Sequence, residues 1–349
     1  MIGTTIAGRY RIARELKKGG MGAVYVADDL RSPSTTWAVK IALPGSNSPE
    51  ENAENLELAR QEADFLRELN HSAHPNILWF QDSFASQSDV KIIMELVQGG
   101  DLDGQLRAAG GAGLPPSQVI PWMVQVADAI GCLHRRPGGA VIYRDLKPAN
   151  LMIDGNGVIK LVDYGIARRH KPKSTKDTIL LGTPQFAAPE LMQREPGQSA
   201  TDTDVYSLGA TMFNLLTGIL PVTCTTPNPG EIRARNSAVS LQLEALVIQM
   251  MQQKRHSRIQ TMDVVRTHLL GVADSSGVTV PPTLRTCPFC RTANRVAASF
   301  CRTCGSGLIR FASTAAPGLQ AAGSPPSCPQ CRTAVRPGTK FCHVCGRRH

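Results

Sequence analysis

Residues 143–165 read YRDLKPANLMIDGNGVIKLVDYG and contain most of the chain's recognisable polar motifs. In its first part, Asp145, Lys147 and Asn150 occupy positions one, three and six of a short loop. Two apolar runs follow, and the DGNG sequence between them predicts a β-hairpin. Such a hairpin returns Asp163 to the neighbourhood of the loop. Two carboxylates, an amide and an ammonium group gathered there suit the attack of a hydroxyl group on a metal-bound triphosphate.

Charge and cysteine content divide the chain into a body and a tail. Residues 277–349 contain ten lysine or arginine residues, no aspartate or glutamate, and eight of the ten cysteines. The net charge of +10 therefore belongs to the tail, and residues 1–276 are formally neutral. No uncharged apolar run approaches the roughly 18 residues of a membrane span. The N-terminus lacks the basic-then-apolar order of a signal peptide. We therefore expect a cytoplasmic protein without a membrane partner.

A glycine-rich turn stands near the start of the body, where residues 17–27 read KKGGMGAVYVA. Glycines in such a turn allow backbone amides to approach phosphate oxygens closely, although a plain hairpin explains the turn equally well. The stretch resembles the nucleotide-binding loop of the eukaryotic-like serine/threonine protein kinases of bacteria. One position departs from that family. Lys17 stands where the family has the first of three spaced glycines, and Gly19 and Gly22 occupy the second and third.

The resemblance implies an ion pair between Lys40 and Glu62. Lys40 interrupts an apolar strand and matches the family's lysine that holds the α- and β-phosphates. The strand alone is also compatible with a lysine that extends its ammonium group into water. Glu62 lies in the apolar stripe of a helix with a capping box at its start, and a buried carboxylate needs a partner. A glutamate at the solvent edge of the helix is the alternative.

The resemblance also assigns roles to the polar residues of the opening stretch. Asp145 would act as the catalytic base that orients the substrate hydroxyl, and Lys147 would neutralise the transferred phosphoryl group. Asn150 and Asp163 would hold Mg²⁺ or Mn²⁺. Lys147 together with Thr183 is the family pattern for serine and threonine substrates in proteins rather than tyrosine.

The nucleotide pocket is predicted around a buried strand, residues 92–97, which matches the hinge between two lobes. Met94 would lie beside the adenine, the backbone of Glu95 to Val97 would bond its edge, and Asp101 would reach the ribose. The resemblance gives as ATP-binding residues Lys17, Gly19, Gly22, Val24, Ala38, Lys40, Met94, Glu95, Val97, Asp101, Asn150 and Asp163.

The segment 168–178 is basic, rich in hydroxyl groups and almost free of apolar residues, which predicts mobility. It matches an activation loop, and Arg144 is the usual partner of a phosphorylated residue there. We predict phosphorylation at Thr175 or Thr178, in trans between two associated copies. A solvated basic loop without regulation is the alternative. The regulatory candidates are Arg144, Ser174, Thr175, Thr178 and Thr183.

The tail contains two copies of a motif in which ten residues separate two CxxC pairs. Four thiolates close one tetrahedral zinc site, so two structural Zn²⁺ ions are predicted. Disulfides are the alternative, which a cytoplasmic protein disfavours. The units resemble the short zinc ribbons of bacterial regulatory proteins, and we expect them to bind protein, with nucleic acid as the alternative. The ligands are Cys287, Cys290, Cys301 and Cys304 in the first unit and Cys328, Cys331, Cys342 and Cys345 in the second.

We therefore predict an α+β protein with a two-lobed protein-kinase fold followed by two zinc ribbons. Its activity would be ATP- and metal-dependent phosphorylation of serine and threonine. Lys17 and Tyr164, which depart from the family pattern, favour the alternative, a pseudokinase scaffold that acts through its tail. The predicted bounds are 9–270 for the kinase domain (N-lobe 9–96, C-lobe 97–270), 271–285 for a linker, 286–309 for the first ribbon, 310–326 for a second linker and 327–347 for the second ribbon.

Overall fold

The chain divides into two compact units, residues 1–281 and 282–349. The first contains a sheet lobe followed by a helical lobe, as the sequence predicts. The computed structural model describes residues 1–19, 22–42, 48–69, 74–136, 138–164, 168–169, 183–192, 199–280, 284–286 and 293–295.

The first lobe is built on a six-stranded antiparallel sheet. Its strands are β1 (Thr5–Ile6), β2 (Tyr10–Gly19), β3 (Gly22–Asp29), β4 (Thr36–Ala42), β5 (Phe80–Ala85) and β6 (Val90–Glu95). They lie in the order β1-β2-β3-β4-β6-β5, and helix α1 (Pro49–Leu69) packs against β5 and β6. Strand β1 starts before the predicted domain boundary at residue 9, because a two-residue strand leaves no periodic signal in the sequence.

The two faces of this sheet pack against different neighbours, because side chains alternate along each strand. Ala23 and Tyr25 belong to a buried cluster on the outer face. On the opposite face, Ala38, Met94 and the partly buried Val24 join the core that continues into the helical lobe. We call this second face the cleft face.

The second lobe surrounds helix α5, which is buried along its whole length from Asp202 to Thr217. This helix lies in the interior of the lobe, and α3 and α7 pack against it. The helices of this lobe are α2 (Leu102–Ala108), α3 (Pro116–His134), α4 (Pro189–Met192), α5 (Thr201–Thr217), α6 (Glu231–Arg235), α7 (Leu241–Met250) and α8 (Met262–Ser275). The short strands are β7 (Val141–Ile142), β8 (Leu151–Ile153), β9 (Ile159–Leu161) and β10 (Arg168–Arg169).

The end of the first unit lies beyond the predicted boundary at residue 270. Helix α8 continues to Ser275, where Val272 and Ala273 are buried, and the following Val278 and Val280 pack against the core. The first part of the predicted linker 271–285 therefore belongs to the folded unit. Its glycine and serine residues suggest a linker, but four apolar residues among them pack against the core. In the second unit, the described residues form the hairpin β11 (Leu284–Thr286) and β12 (Ala293–Arg295).

The predicted hairpin of β8 and β9 is present and is hydrogen-bonded to two other chain segments. The amide of Leu161 donates to the carbonyl of Asn76, in the segment that precedes β5, over 2.8 Å. The amide of Ile153 donates to the carbonyl of Gly100, in the segment that follows β6, over 2.9 Å. The hairpin therefore fastens the helical lobe to the segment before β5, in the sheet lobe, and to the segment that connects the two lobes. Among the described helices, none has the length and apolar composition needed to span a bilayer.

Two further contacts tighten this junction. A Cβ atom on Gly99 would lie 1.8 Å from the carbonyl oxygen of Ile153, so only glycine permits the close approach of the backbones. The Lys160 ammonium group, buried in β9, lies 2.6 Å from the carboxylate of Glu95 at the end of β6. This ion pair joins the hairpin to the predicted hinge.

Candidate active site

The backbone of the loop 143–150 is held by a buried aspartate of helix α5. Asp204 accepts hydrogen bonds from the amides of Tyr143 at 2.9 Å and Arg144 at 2.7 Å, and His134 Nε2 lies 2.8 Å from it. These contacts hold Arg144 at a φ of 70°, a left-handed conformation that costs free energy in a non-glycine residue. The motifs alone do not predict this role. Its signal in the sequence is an acid within an apolar helix, since a buried carboxylate needs donors.

Four predicted residues meet around the carboxylate of Asp145. Lys147 Nζ donates to Asp145 Oδ2 over 2.8 Å, and Asn150 Nδ2 donates to the same oxygen over 2.7 Å. Lys147 also donates to the hydroxyl of Thr183 over 2.9 Å. Thr183 was predicted as a regulatory residue, and here it contacts the lysine of the loop directly. The cluster places a carboxylate acceptor next to an ammonium group, which is the pairing needed to orient a hydroxyl and neutralise a phosphoryl group.

The predicted ion pair between Lys40 and Glu62 is present. Lys40 Nζ lies 2.7 Å and 2.8 Å from the two oxygens of Glu62 and 3.3 Å from Asp163 Oδ1. Burial lowers the pKa of the Lys40 ammonium group, but the two carboxylates outweigh burial and hold that pKa above its ordinary value. Burial raises the pKa of Glu62, and Lys40 opposes this rise. Lys40 therefore stays charged and joins helix α1 to the metal-binding aspartate predicted from the sequence.

Asn150 and Asp163 fit the predicted Mg²⁺ site. The amide of Val162 donates to the carbonyl of Asn150 over 3.0 Å, which brings the residue next to Asp163 against the loop. Because the Asn150 side-chain nitrogen donates to Asp145, its carboxamide oxygen is left to face a cation. The carboxylate of Asp163 is about half exposed. Oxygen donors of this kind are those that Mg²⁺ takes from proteins, and Mg²⁺ would neutralise charge on phosphate oxygens there.

The glycine-rich turn has the geometry that requires glycine at its end. Gly19 and Gly22 pair across β2 and β3. Gly22 has a φ of 137°, and a Cβ atom on it would lie 2.0 Å from the carbonyl oxygen of Ile41. Lys17 is an exposed residue of β2 and pairs with Val24.

One of the backbone groups of the predicted hinge already makes a hydrogen bond within the protein. Met94 is buried and pairs with Ala38 across β4 and β6, as expected for residues behind an adenine. The amide of Glu95 donates to the carbonyl of Trp79, so only other backbone groups of the hinge are left for a nucleotide. Within the described part of the chain, no hydrogen bond engages the backbone of Val97.

Asp101 has a structural role besides the predicted ribose contact. It is the N-cap of helix α2, and its carboxylate accepts a hydrogen bond of 2.7 Å from the amide of Gly104. Its side chain is also partly exposed, with 29% of its surface accessible. The ribose contact therefore has to share this carboxylate with the helix cap.

Glu190 of helix α4 and Arg258 form a buried ion pair. Arg258 donates to both carboxylate oxygens of Glu190, over 2.9 Å and 3.1 Å, and both side chains are buried. The hydroxyl of Thr203 adds a third hydrogen bond to Glu190. This bidentate pair anchors the segment that carries Thr183.

Two buried tyrosines, Tyr143 and Tyr164, lie beside the site. The Tyr143 hydroxyl donates to the carbonyl of Val162, immediately before Asp163. The rings of Tyr143 and Tyr164 pack edge to face with centroids 5.5 Å apart. Within the described residues, the buried hydroxyl of Tyr164 makes no hydrogen bond of standard geometry, and a backbone polar group of Leu78 lies near it. Burial raises the pKa of both phenols, so both remain protonated.

Because the two hydroxyl groups differ in hydrogen bonding, replacing each tyrosine by phenylalanine tests the role of the Tyr143 hydrogen bond. We expect Tyr143→Phe to lower the free energy of unfolding by about 1 kcal/mol and kcat by roughly 3- to 10-fold. The reason is that the carbonyl before Asp163 loses its donor. Tyr164→Phe is expected to leave stability unchanged or to raise it, because a buried hydroxyl without a hydrogen bond of standard geometry is removed. Thermal unfolding and steady-state phosphorylation assays measure both effects. Equal losses in the two variants would contradict the assigned role of Tyr143.

The remaining predicted site residues lie outside the described residues. These are Ser174, Thr175 and Thr178 of the predicted activation loop and the eight cysteines Cys287, Cys290, Cys301, Cys304, Cys328, Cys331, Cys342 and Cys345. The donor chemistry of these cysteines fits structural zinc, since CxxC pairs supply only thiolates.

The class of the protein follows from these findings together with the family comparison. The protein kinase domain family matches residues 10–270, so the chain belongs to the protein kinases. The double zinc ribbon family matches residues 287–346, and the tail is therefore a double zinc ribbon.

Several curated protein kinases are similar to the first unit. The serine/threonine-protein kinase PrkC of Bacillus subtilis is 33% identical over 222 residues, which cover 63% of this chain and 32% of PrkC. The probable serine/threonine-protein kinase PknB of Lactococcus lactis is 31% identical over 225 residues, which cover 63% of this chain and 33% of PknB. CBL-interacting protein kinase 4 of rice is 33% identical over 226 residues, covering 63% and 46%. The chain thus spans less than half the length of these relatives.

Proposed function

We propose that the protein is an ATP- and Mg²⁺-dependent serine/threonine protein kinase. The observation that carries this proposal is the contact of Lys40 with both Glu62 and Asp163. That contact joins helix α1, the sheet and the metal-binding residue in the arrangement that phosphoryl transfer requires. Because a buried ion pair contributes little to stability, this contact supports a role in the reaction better than a purely structural role.

The site residues divide the work of the reaction between them. Lys40 contacts the phosphates while Glu62 keeps its ammonium group in place. Asp145 accepts the hydrogen bond of the attacking hydroxyl and directs it toward the γ-phosphate. Lys147, between Asp145 and Thr183, stabilises the negative charge of the transferred group. Asn150 and Asp163 would hold the metal ion, Mg²⁺ or Mn²⁺, which would neutralise negative charge on the phosphates.

The alternative function is that of a pseudokinase scaffold, which the lysine at position 17 and Tyr164 favour. The two are separated by measuring transfer of the γ-phosphate of ATP to a generic basic protein, by the wild type and by Asp145→Asn. An active kinase labels serine and threonine and leaves tyrosine unlabelled. Background-level transfer by both proteins would contradict the enzymatic function and leave the scaffold.

We further propose that phosphorylation of the activation loop at Thr175 or Thr178 raises activity, with Arg144 as its partner. The double variant Thr175→Ala/Thr178→Ala is expected to lose roughly 10-fold in kcat after preincubation with ATP. Thr267→Ala, which changes an exposed threonine of helix α8, serves as the control and should keep wild-type activity. Autophosphorylation that accelerates with protein concentration indicates transfer between two copies. Full activity of the double variant would overturn the proposal.

For the double zinc ribbon we propose a role in recruiting proteins or regulating the kinase. Two four-thiolate sites carry a charge of −4, which reduces the ten positive side chains of the tail to about +6. This charge is compatible with nucleic acid, but few aromatic residues are interleaved with the basic ones for stacking on bases. Closed four-cysteine sites also leave no open position for catalysis.

A further inference from the structure

Lys17 begins a row of paired residues that runs across three strands to the active site. It pairs with Val24 of β3, and Val24 pairs with Lys40 of β4. Directly paired residues of antiparallel strands place their side chains on the same face of a sheet. Since Lys40 reaches Glu62 from the cleft face, Lys17 starts from that face too. Its Cα lies two strand spacings from that of Lys40, roughly 10 Å.

A β-bulge produces this orientation. The pairing of β2 with β3 shifts register between Glu15 and Lys17, which leaves Leu16 as an extra residue. Such bulges redirect the side chains that follow them. Beyond the bulge, Lys18 pairs with Ala23, whose side chain belongs to the outer face. Two adjacent lysines therefore point to opposite faces, and only Lys17 points to the cleft.

The charges of the site leave room for another cation. Lys40 is already in contact with two carboxylates, those of Glu62 and Asp163. With Asp145 and Lys147 included, these five side chains sum to −1, while a nucleoside triphosphate is itself strongly anionic. Oppositely charged groups in a cleft attract each other more strongly than on an open surface.

The ammonium group of Lys17 is available for this purpose. Its side chain is exposed, and no ion pair or hydrogen bond engages it in the part of the chain that the structure describes. A lysine side chain is long and flexible, with a compact charge and three donors at its end. From a position on the cleft face it can reach toward the space in front of Lys40.

We propose that Lys17 binds the phosphate groups of the nucleotide as a second lysine beside Lys40. This inference rests on the proposed ATP-dependent function and adds to it a side-chain contact. A glycine at this position offers only backbone groups to the nucleotide, whereas Lys17 adds a positively charged side chain. The affinity for nucleotides should therefore depend on the number of phosphates more steeply than backbone contacts alone allow.

The test compares Lys17→Met with Lys18→Met, which removes the same charge from the outer face. Calorimetric titrations in Mg²⁺ buffer measure binding of the β,γ-imido analogue of ATP, ADP and adenosine. For Lys17→Met we expect Kd to rise about 10-fold for the analogue, less for ADP, and not at all for adenosine. Lys18→Met should keep every Kd within about twofold of the wild type. Added salt should weaken binding of the ATP analogue less in Lys17→Met than in the wild type.

The outcomes separate this inference from the proposed function. The inference would be overturned if both variants weakened binding of the ATP analogue equally. It would also be overturned if Lys17→Met weakened binding of the analogue and of adenosine equally. Unchanged binding by Lys17→Met in a protein that transfers phosphate would overturn it as well. If phosphate-dependent binding falls only in Lys17→Met and the wild type transfers no phosphate, the contact stands and the kinase function fails.

Discussion

The Asp145→Asn variant is expected to lower kcat for phosphoryl transfer by about 10²- to 10⁴-fold, while the Kd for the nucleotide stays near the wild-type value. An amide of the same size keeps an oxygen for Lys147 or Asn150, but it lacks the charge that directs a hydroxyl toward the phosphate. The nucleotide is held mainly from the sheet lobe and by the metal ligands, so its affinity should change little. Steady-state transfer from labelled ATP to a basic protein measures kcat, and calorimetry measures Kd.

A matched control for this variant is Asp103→Asn, in helix α2. It makes the same chemical change at a partly exposed carboxylate that pairs with Arg107 in the next turn. Such surface pairs contribute at most about 1 kcal/mol, so kcat should remain at the wild-type value. If Asp145→Asn retained more than a tenth of the wild-type kcat, Asp145 would not be the residue that orients the hydroxyl.

Removal of zinc is expected to unfold the tail and to leave the first unit folded. Burial of one or two aromatic side chains in each ribbon contributes only a few kcal/mol, whereas structural zinc contributes about 10–16 kcal/mol. A strong chelator should therefore release two Zn²⁺ per chain and expose residues 286–347 to proteolysis. Residues 1–280 should stay resistant, because their core contains no predicted zinc ligand. Metal analysis and limited proteolysis with mass spectrometry measure the two effects.

Two cysteine variants sharpen the zinc experiment. Cys301→Ser removes a predicted ligand and should reduce the zinc content from two ions to one. Cys132→Ser changes a free cysteine of helix α3 and should keep both ions. A tail that resists proteolysis after complete removal of zinc would contradict the structural role of the metal. Salt-sensitive binding of DNA or RNA that disappears with the zinc would reverse our preference for a protein partner.

The site was predictable where its chemistry depends on sequence spacing. Asp145, Lys147 and Asn150 fall within one short loop, and the DGNG turn returns Asp163 to it. The pairing of Lys40 with Glu62 followed from the family resemblance, and a carboxylate inside an apolar stripe, which needs a cation, agreed with it. In each case a short-range pattern or an electrostatic requirement was visible in the chain itself.

The missed features depend on contacts between distant segments. The hydrogen bonds of Asp204 to the loop join residues about sixty positions apart. Strand β1 is defined by its partner rather than by its own two residues. The bulge before Lys17 depends on the register with β3, and without it the face on which Lys17 lies could not be assigned. The last turn of α8 was missed because its glycine and serine conceal the buried Val272.

The two backbone hydrogen bonds that the β8–β9 hairpin makes to other segments restrict how the two lobes can move relative to each other. A lobe held at two points can turn only about the line through them. Here that line runs along the hairpin, from Asn76 and Leu161 to Gly100 and Ile153. The end of β6 lies next to this line, because Glu95 pairs with Lys160 of the hairpin, and Lys40 lies next to it too, because it contacts Asp163 two residues beyond Leu161. Separation of the two lobes therefore has to break the pair of Lys160 with Glu95 and the pair of Lys40 with Asp163.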